Sequence, residues 1–276
     1  MALKPDALPP PVIGRGAAAD PAEDRRGLAS VSWFVGISLI LAAIAFLPAI
    51  PTDLSPFMLA LGPLVVAVAV AWREGNGAIR RLFRTLTTLP ADARWYLVLL
   101  VPVVWALSVV LLAVVLGEPT AGIFAGVDPS ILIVILVVLI PAFAEELAWR
   151  GFAVPRLLPF MSPLAAAIVL AVPWTILHLP LMLVPGSINE GLAVVPGIVT
   201  LFSYSVILTW IFVGTGGSVL LTGLVHAGLN GIVPLFREVD PELSWVLRSI
   251  VAMGMAVLVA VLGRMYRRDT MVDSGP

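Results

Sequence analysis

Uncharged apolar runs about as long as a bilayer is thick recur along the chain, and no other feature limits its fold so strongly. The hydrocarbon core of a membrane takes about 20 helical residues, with a range of roughly 17–25. Segments 31–50, 56–72, 95–116, 130–152, 163–183, 194–213, 218–235 and 243–262 fit that length. Stretch 191–236 carries no Asp, Glu, Lys or Arg at all. It is too long for one span, and the Gly-Thr-Gly-Gly at 214–217 is its natural break. Inside lipid each backbone polar group must be satisfied within its own segment, which for runs of this length means helix. The expected fold is an all-α polytopic membrane protein of about eight transmembrane helices.

Composition agrees. Apolar residues make up 60% of the 276 and charged residues 12%, about half the usual globular share of roughly 25%. With a mean hydropathy of +1.07, the chain lacks the polar side chain needed to cover a soluble surface, so its partner on the outside is membrane lipid. A net charge of -1 removes the general electrostatic case for binding nucleic acid. The absence of cysteine excludes disulfide scaffolds, Cys-ligated zinc, iron–sulfur clusters and cysteine nucleophiles.

Arginines set the orientation. With the amino end in the cytoplasm, fourteen of the sixteen basic residues fall on inside segments, leaving only Arg237 outside and Arg248 within the last span. The positive-inside rule therefore places both termini in the cytoplasm. Residues 1–30 are polar and lack the apolar segment of a signal peptide, so they read as a disordered cytoplasmic tail; 31–268 form the membrane domain and 269–276 a short polar tail. In the basic loop between Arg73 and Arg94, Ile79, Leu82, Phe83 and Leu86 recur at helical spacing. A short interfacial helix is one reading of this loop, and a positive-inside anchor is the plainer one. Fifteen arginines against one lysine hint at a GC-rich bacterial genome, hence a bacterial plasma membrane.

Ionisable groups within spans cost about 2.5–3.5 kcal/mol each on insertion scales and mark functional sites by default. In the fourth, fifth and seventh spans they are Glu145, Glu146, Arg150, His178 and His226, with Asn230 as a neutral companion. Residues four apart share a helix face, so Glu146 can pair with Arg150, while Glu145 points about 100° away. One carboxylate is compensated and the other is left to hold a proton or a water, as a general base would. A plainer alternative has both glutamates ending their span at the interface. Pro173 and Pro180 flank His178, freeing backbone carbonyls and bending the helix. His226 and Asn230 are again four apart, and the asparagine amide is a neutral donor suited to an oxyanion. Both histidines of the chain and its only pair of adjacent glutamates lie in spans, and the coherent reading gathers them in one site. Depth agrees for two of the three. At 1.5 Å per residue Glu145 lies about 10 Å and His226 roughly 12–15 Å from the cytoplasmic ends of their spans, but His178 lies roughly 22 Å in. A later start to the fifth span, or tilt, would close the difference.

Glu145-Glu146-xxx-Arg150, Trp174-xxx-His178 and His226-xxx-Asn230 together resemble the three-motif signature of the CPBP family, the CAAX prenyl proteases and their bacteriocin-processing and immunity-associated relatives. The order is right and each motif lies on its own span. Trp174 stands where the family usually has phenylalanine, and Met182 where some prenyl proteases place a further asparagine. The resemblance implies an intramembrane endopeptidase cutting near the carboxyl end of a membrane-anchored or lipidated substrate. Glu145 would activate water with His178 as its partner, Glu146 and Arg150 would support the site, and His226 with Asn230 would bind the oxyanion. The family has been regarded both as zinc-dependent and as metal-free. Glu145, His178 and His226 would make a His₂Glu zinc set, whereas Asn230 is no zinc ligand and no partner orienting both imidazoles is visible in the sequence, which favours the metal-free version. Two other classes compete: a non-catalytic, immunity-type scaffold of the same fold, and a proton-coupled transporter using the same groups as a relay.

Overall fold

The computed structural model describes residues 21–47, 55–75, 77–118, 130–183, 194–236 and 240–267, and among them there is helix and turn but no strand. Helix α1 runs over Pro21–Ala45, α2 over Ser55–Glu74 and the short α3 over Ala78–Arg84. A 3₁₀ stretch, Ala93–Leu100, leads into α4, Val101–Val115. Helix α5, Ser130–Glu146, passes without a break into a π-helical segment, Leu147–Ala153, and then α6, Val154–Leu157. Helices α7 (Pro163–Leu183), α8 (Val194–Gly214), α9 (Val219–Gly231) and α10 (Pro241–Leu262) complete the bundle.

Five helices among the described residues are long and apolar enough to cross a membrane: Arg25–Ala45, Ala93–Val115, Pro163–Leu183, Val194–Gly214 and Glu242–Leu262. Helices α2, α5 and α9 fall where the other three spans were expected. Trp33, Ile40, Leu111, Val115 and Leu262 stand exposed on outward faces, the arrangement lipid requires of a chain with so little polar surface. Inside, α10 and α7 pack on α8, α5 packs on α9, and α1 on α2.

Two boundaries differ from expectation. Helix α1 begins at Pro21, so residues 21–30 are helical rather than tail. Proline suits the first helical position. The fourth run does not end at Phe152 but continues to Leu157. The break between α8 and α9 falls where the glycines foretold. Gly216 and Gly217 take φ of 71° and 100°, and the Ser218 hydroxyl then caps α9 by accepting from the Leu221 N–H.

The basic loop is more than an anchor. Gly75 and Gly77, with φ of 63° and 72°, turn the chain so that α3 folds in against the bundle. Ala78, Leu82 and Thr85 are buried, and the Thr85 carbonyl accepts the Val219 N–H at 2.9 Å. The amino end of α9 is thereby seated on this segment. Beside it, Arg156 donates from Nε to Glu74 at 2.9 Å and from Nη2 to the other carboxylate oxygen. Burial works to raise the Glu74 pKa, but hydrogen bonds from Arg156 and Ser30 outweigh it and hold the group below its ordinary value. Arg248, unexplained by the motifs, is buried in α10, with its guanidinium 3.7 Å from the centroid of the Trp245 ring.

Candidate active site

Three helices deliver the polar groups. The α5–π junction carries Glu145, Glu146 and Arg150, α7 carries Trp174 and His178, and α9 carries His226 and Asn230. The π segment has a local cause. Pro155 cannot donate to the carbonyl four residues back, so the regular ladder fails as it approaches that turn, and single π turns of this kind recur at functional sites. Gly151 faces the α3 end here. A β-carbon on it would lie 3.2 Å from Leu82 and Thr85 and 3.3 Å from Val219.

The continued fourth run also accounts for the depth discrepancy. Glu145 stands twelve residues before Leu157, about 18 Å by helical rise, instead of the shallower position that an end at Phe152 implied. His178 is then at nearly the same level, and its Nε2 lies 4.0 Å from Glu145 Oε2.

Glu146 and its partners form a closed unit. Its Oε1 accepts from Arg150 Nη1 at 2.8 Å and from His226 Nδ1 at 2.9 Å. Glu146, Arg150 and His226 are 0%, 1% and 3% exposed, so both bonds are made away from water, where charge-assisted hydrogen bonds are strong. A carboxylate oxygen only accepts, hence His226 carries a proton on Nδ1.

Glu145 is held differently. It is 8% exposed, and its Oε2 accepts from the Trp174 indole Nε1–H at 2.8 Å. His178 Nδ1 sits 2.7 Å from the Trp174 carbonyl. A carbonyl cannot donate, so a proton is on Nδ1, and in the neutral imidazole the lone pair is on Nε2, the nitrogen facing Glu145. Both imidazoles therefore have the orienting partner that the sequence did not reveal: a backbone carbonyl for His178 and Glu146 for His226.

Trp174 entered the sequence reading only as the aromatic of its motif, with no contact to the acid assigned to it. Its ring meets His178 and His226 edge-on, with centroids 5.4 and 5.8 Å away, and the Arg150 guanidinium lies 4.7 Å from its centroid. The available signal was the amphipathic indole in place of phenylalanine, since a buried indole N–H has to find an acceptor. Asn230, by contrast, is exposed and has no side-chain hydrogen bond to the acidic pair among the described residues. The zinc set of Glu145, His178 and His226 does not close into a cage either: among the described residues no three His, Asp or Glu are arranged to hold a metal. Trp174 packs against both imidazoles and takes Glu145 Oε2.

Residues 127–232 match the family model described as type II CAAX prenyl endopeptidase Rce1-like, a span that contains Glu145, Glu146, Arg150, Trp174, His178, His226 and Asn230. The chain is also similar to the CAAX prenyl protease 2 of Methanococcus maripaludis, with 25% identity over 224 residues, 72% of this chain and 78% of that protein. Motif order, the bundle that joins the motifs and these two likenesses point the same way: over residues 127–232 the chain is similar to the type II CAAX prenyl endopeptidases of the CPBP family.

Proposed function

We propose that this protein hydrolyses a peptide bond near the carboxyl end of a membrane-associated, prenylated CAAX-type substrate, using a water activated by Glu145. The observation that carries the reading is the facing pair, Glu145 Oε2 and His178 Nε2, at 4.0 Å. That is too long for a direct hydrogen bond and close to the roughly 4.4 Å between two acceptors that share one water at ordinary bond lengths. Both groups present lone pairs, so the water directs its two hydrogens at them and its own lone pairs at the substrate carbonyl. Glu145 takes a proton as the C–O bond forms, and the tetrahedral intermediate collapses with that proton passing to the leaving amine.

The oxyanion role falls first to Asn230. It is exposed and its amide is a neutral donor. His226 already donates from Nδ1 to Glu146, so its Nε2 serves as a second donor only in the imidazolium form. Substrate reaches the site from the lipid or from the cytoplasmic side, where α3 and the basic residues gather.

Turnover of a farnesylated peptide by the purified protein tests the reading. General acid–base groups contribute about 10²–10⁴-fold, and losses of that size are expected for Glu145→Gln and His178→Ala. Undiminished cleavage by Glu145→Gln would overturn it. A scaffold reading draws its support from the Glu146–Arg150–His226 unit alone. It predicts hydrolysis of no peptide and variants that lose a protein partner instead.

A further inference from the structure

Glu145 is a buried carboxylate, and among the described residues its one hydrogen bond comes from Trp174. We infer that the Trp174 indole N–H is a positioning donor that fixes the Glu145 carboxylate for attack, a task that the phenylalanine usual at this place cannot perform. The inference rests on the reading of Glu145 as the water-activating group.

The geometry points to positioning rather than packing. Trp174 is 2% exposed, and a phenyl ring would fill much of the same space. A phenyl ring would also leave Glu145 with no donor to set its rotamer. The indole N–H is a single donor with no acceptor capacity. It occupies one lone pair of Oε2 at 2.8 Å, leaving the remaining lone pairs to face His178 Nε2 across the 4.0 Å gap. The same residue orients the other partner, because its carbonyl takes the His178 Nδ1–H at 2.7 Å. One residue thus sets both sides of the gap in which water is to be held. Its ring face carries the Arg150 guanidinium at 4.7 Å. A cation there draws electron density from the ring and strengthens the N–H as a donor, which ties Glu145 to the Glu146–Arg150–His226 unit without a direct bond between the two glutamates.

Trp174→Phe tests this, since it keeps an aromatic face for Arg150 and an edge for both imidazoles while deleting the donor. Charge-assisted hydrogen bonds of this kind correspond to about a tenfold to hundredfold change, and the loss should fall on kcat, with KM for the farnesylated peptide held within about twofold. A kcat within about twofold of wild type overturns the proposal, as does a loss confined to KM. A second measurement does not depend on turnover. The Trp174 indole ¹H–¹⁵N resonance, identified as the one missing from Trp174→Phe, should shift upfield in Glu145→Ala protein as its acceptor disappears. A resonance unmoved by Glu145→Ala also overturns the proposal. If wild-type protein cleaves no peptide, the protease reading falls, and the resonance alone decides the Trp174–Glu145 link.

Discussion

Adjacent glutamates on one helix should fail in opposite ways when replaced. Glu146 holds two buried partners through one oxygen, Arg150 at 2.8 Å and His226 at 2.9 Å, and all three residues are at most 3% exposed. Glu146→Ala strands a guanidinium in the protein interior. Removing one partner of a buried pair costs about 3–5 kcal/mol, and leaving the His226 Nδ1–H without an acceptor adds about 1–3 kcal/mol. Against a total stability of order 5–15 kcal/mol, that is a severe loss. Glu145→Gln strands no cation and keeps an acceptor for Trp174, so its stability should stay within about 1 kcal/mol of wild type while turnover collapses. The assay is SDS titration of detergent-solubilised protein followed by tryptophan fluorescence, alongside peptide cleavage. A third variant isolates the cause: Glu146→Leu with Arg150→Met removes both charges together, and such replacements restore stability where the single deletion destroys it. If Glu146→Ala is as stable as Glu145→Gln, or the double variant is no better than Glu146→Ala, the division of roles is wrong.

Gly223 lies one turn before His226, where a β-carbon would come within 2.9 Å of the Phe143 ring, and Phe143 lies one turn before Glu146. Gly223→Ala should therefore push α9 from α5, destabilising by about 1–3 kcal/mol and lowering kcat/KM in the cleavage assay. Gly214→Ala should cost at least as much in the same titration, because its β-carbon would lie 2.0 Å from the Trp95 ring. Gly36→Ala meets nothing within 4 Å and should stabilise α1 by about 0.5–1 kcal/mol. The Glu74 pKa is held below its ordinary value by Arg156 and Ser30 against the effect of burial, so its contribution is fully present above its unfolded value and lost as pH falls through the lowered one. Thermal unfolding of wild type should exceed that of Glu74→Gln at pH 7, with the difference closing below about pH 4.

What the sequence disclosed depends on how far apart the interacting residues are. The Glu146–Arg150 pair was legible because four residues along a helix is a fixed geometry, and it survives although Arg150 sits in the π segment. The opposed direction of Glu145 followed from the same rule. The His226–Glu146 bond was not legible. It spans eighty residues and depends on α9 approaching α5 at Gly223, so His226 was read together with Asn230, its neighbour in sequence. The misjudged depth of Glu145 has a similar origin. A span was ended where apolar composition ended, whereas the backbone continues through a π turn that hydropathy does not register. Nor could the substitution of Trp174 for phenylalanine be weighed in one dimension, because what distinguishes the two is a single N–H whose acceptor lies twenty-nine residues earlier.

Two neighbouring carboxylates in a membrane present a problem that the helix itself resolves. Were both on one face they would repel each other in a medium that screens little, and one would be driven to bind a proton. Successive residues turn by about 100°, which sends Glu146 toward α9, where Arg150 and His226 close around it, and Glu145 toward α7, where it meets one neutral donor and an imidazole lone pair. The cation needed to keep charge in the bilayer is thus committed to Glu146, the glutamate to which the proposed reaction gives no chemical step. On the proposed reading, a fixed cation bonded to Glu145 would lower its basicity and occupy lone pairs that the attacking water would use. An indole N–H orients the carboxylate without adding charge, and the guanidinium stays one ring away.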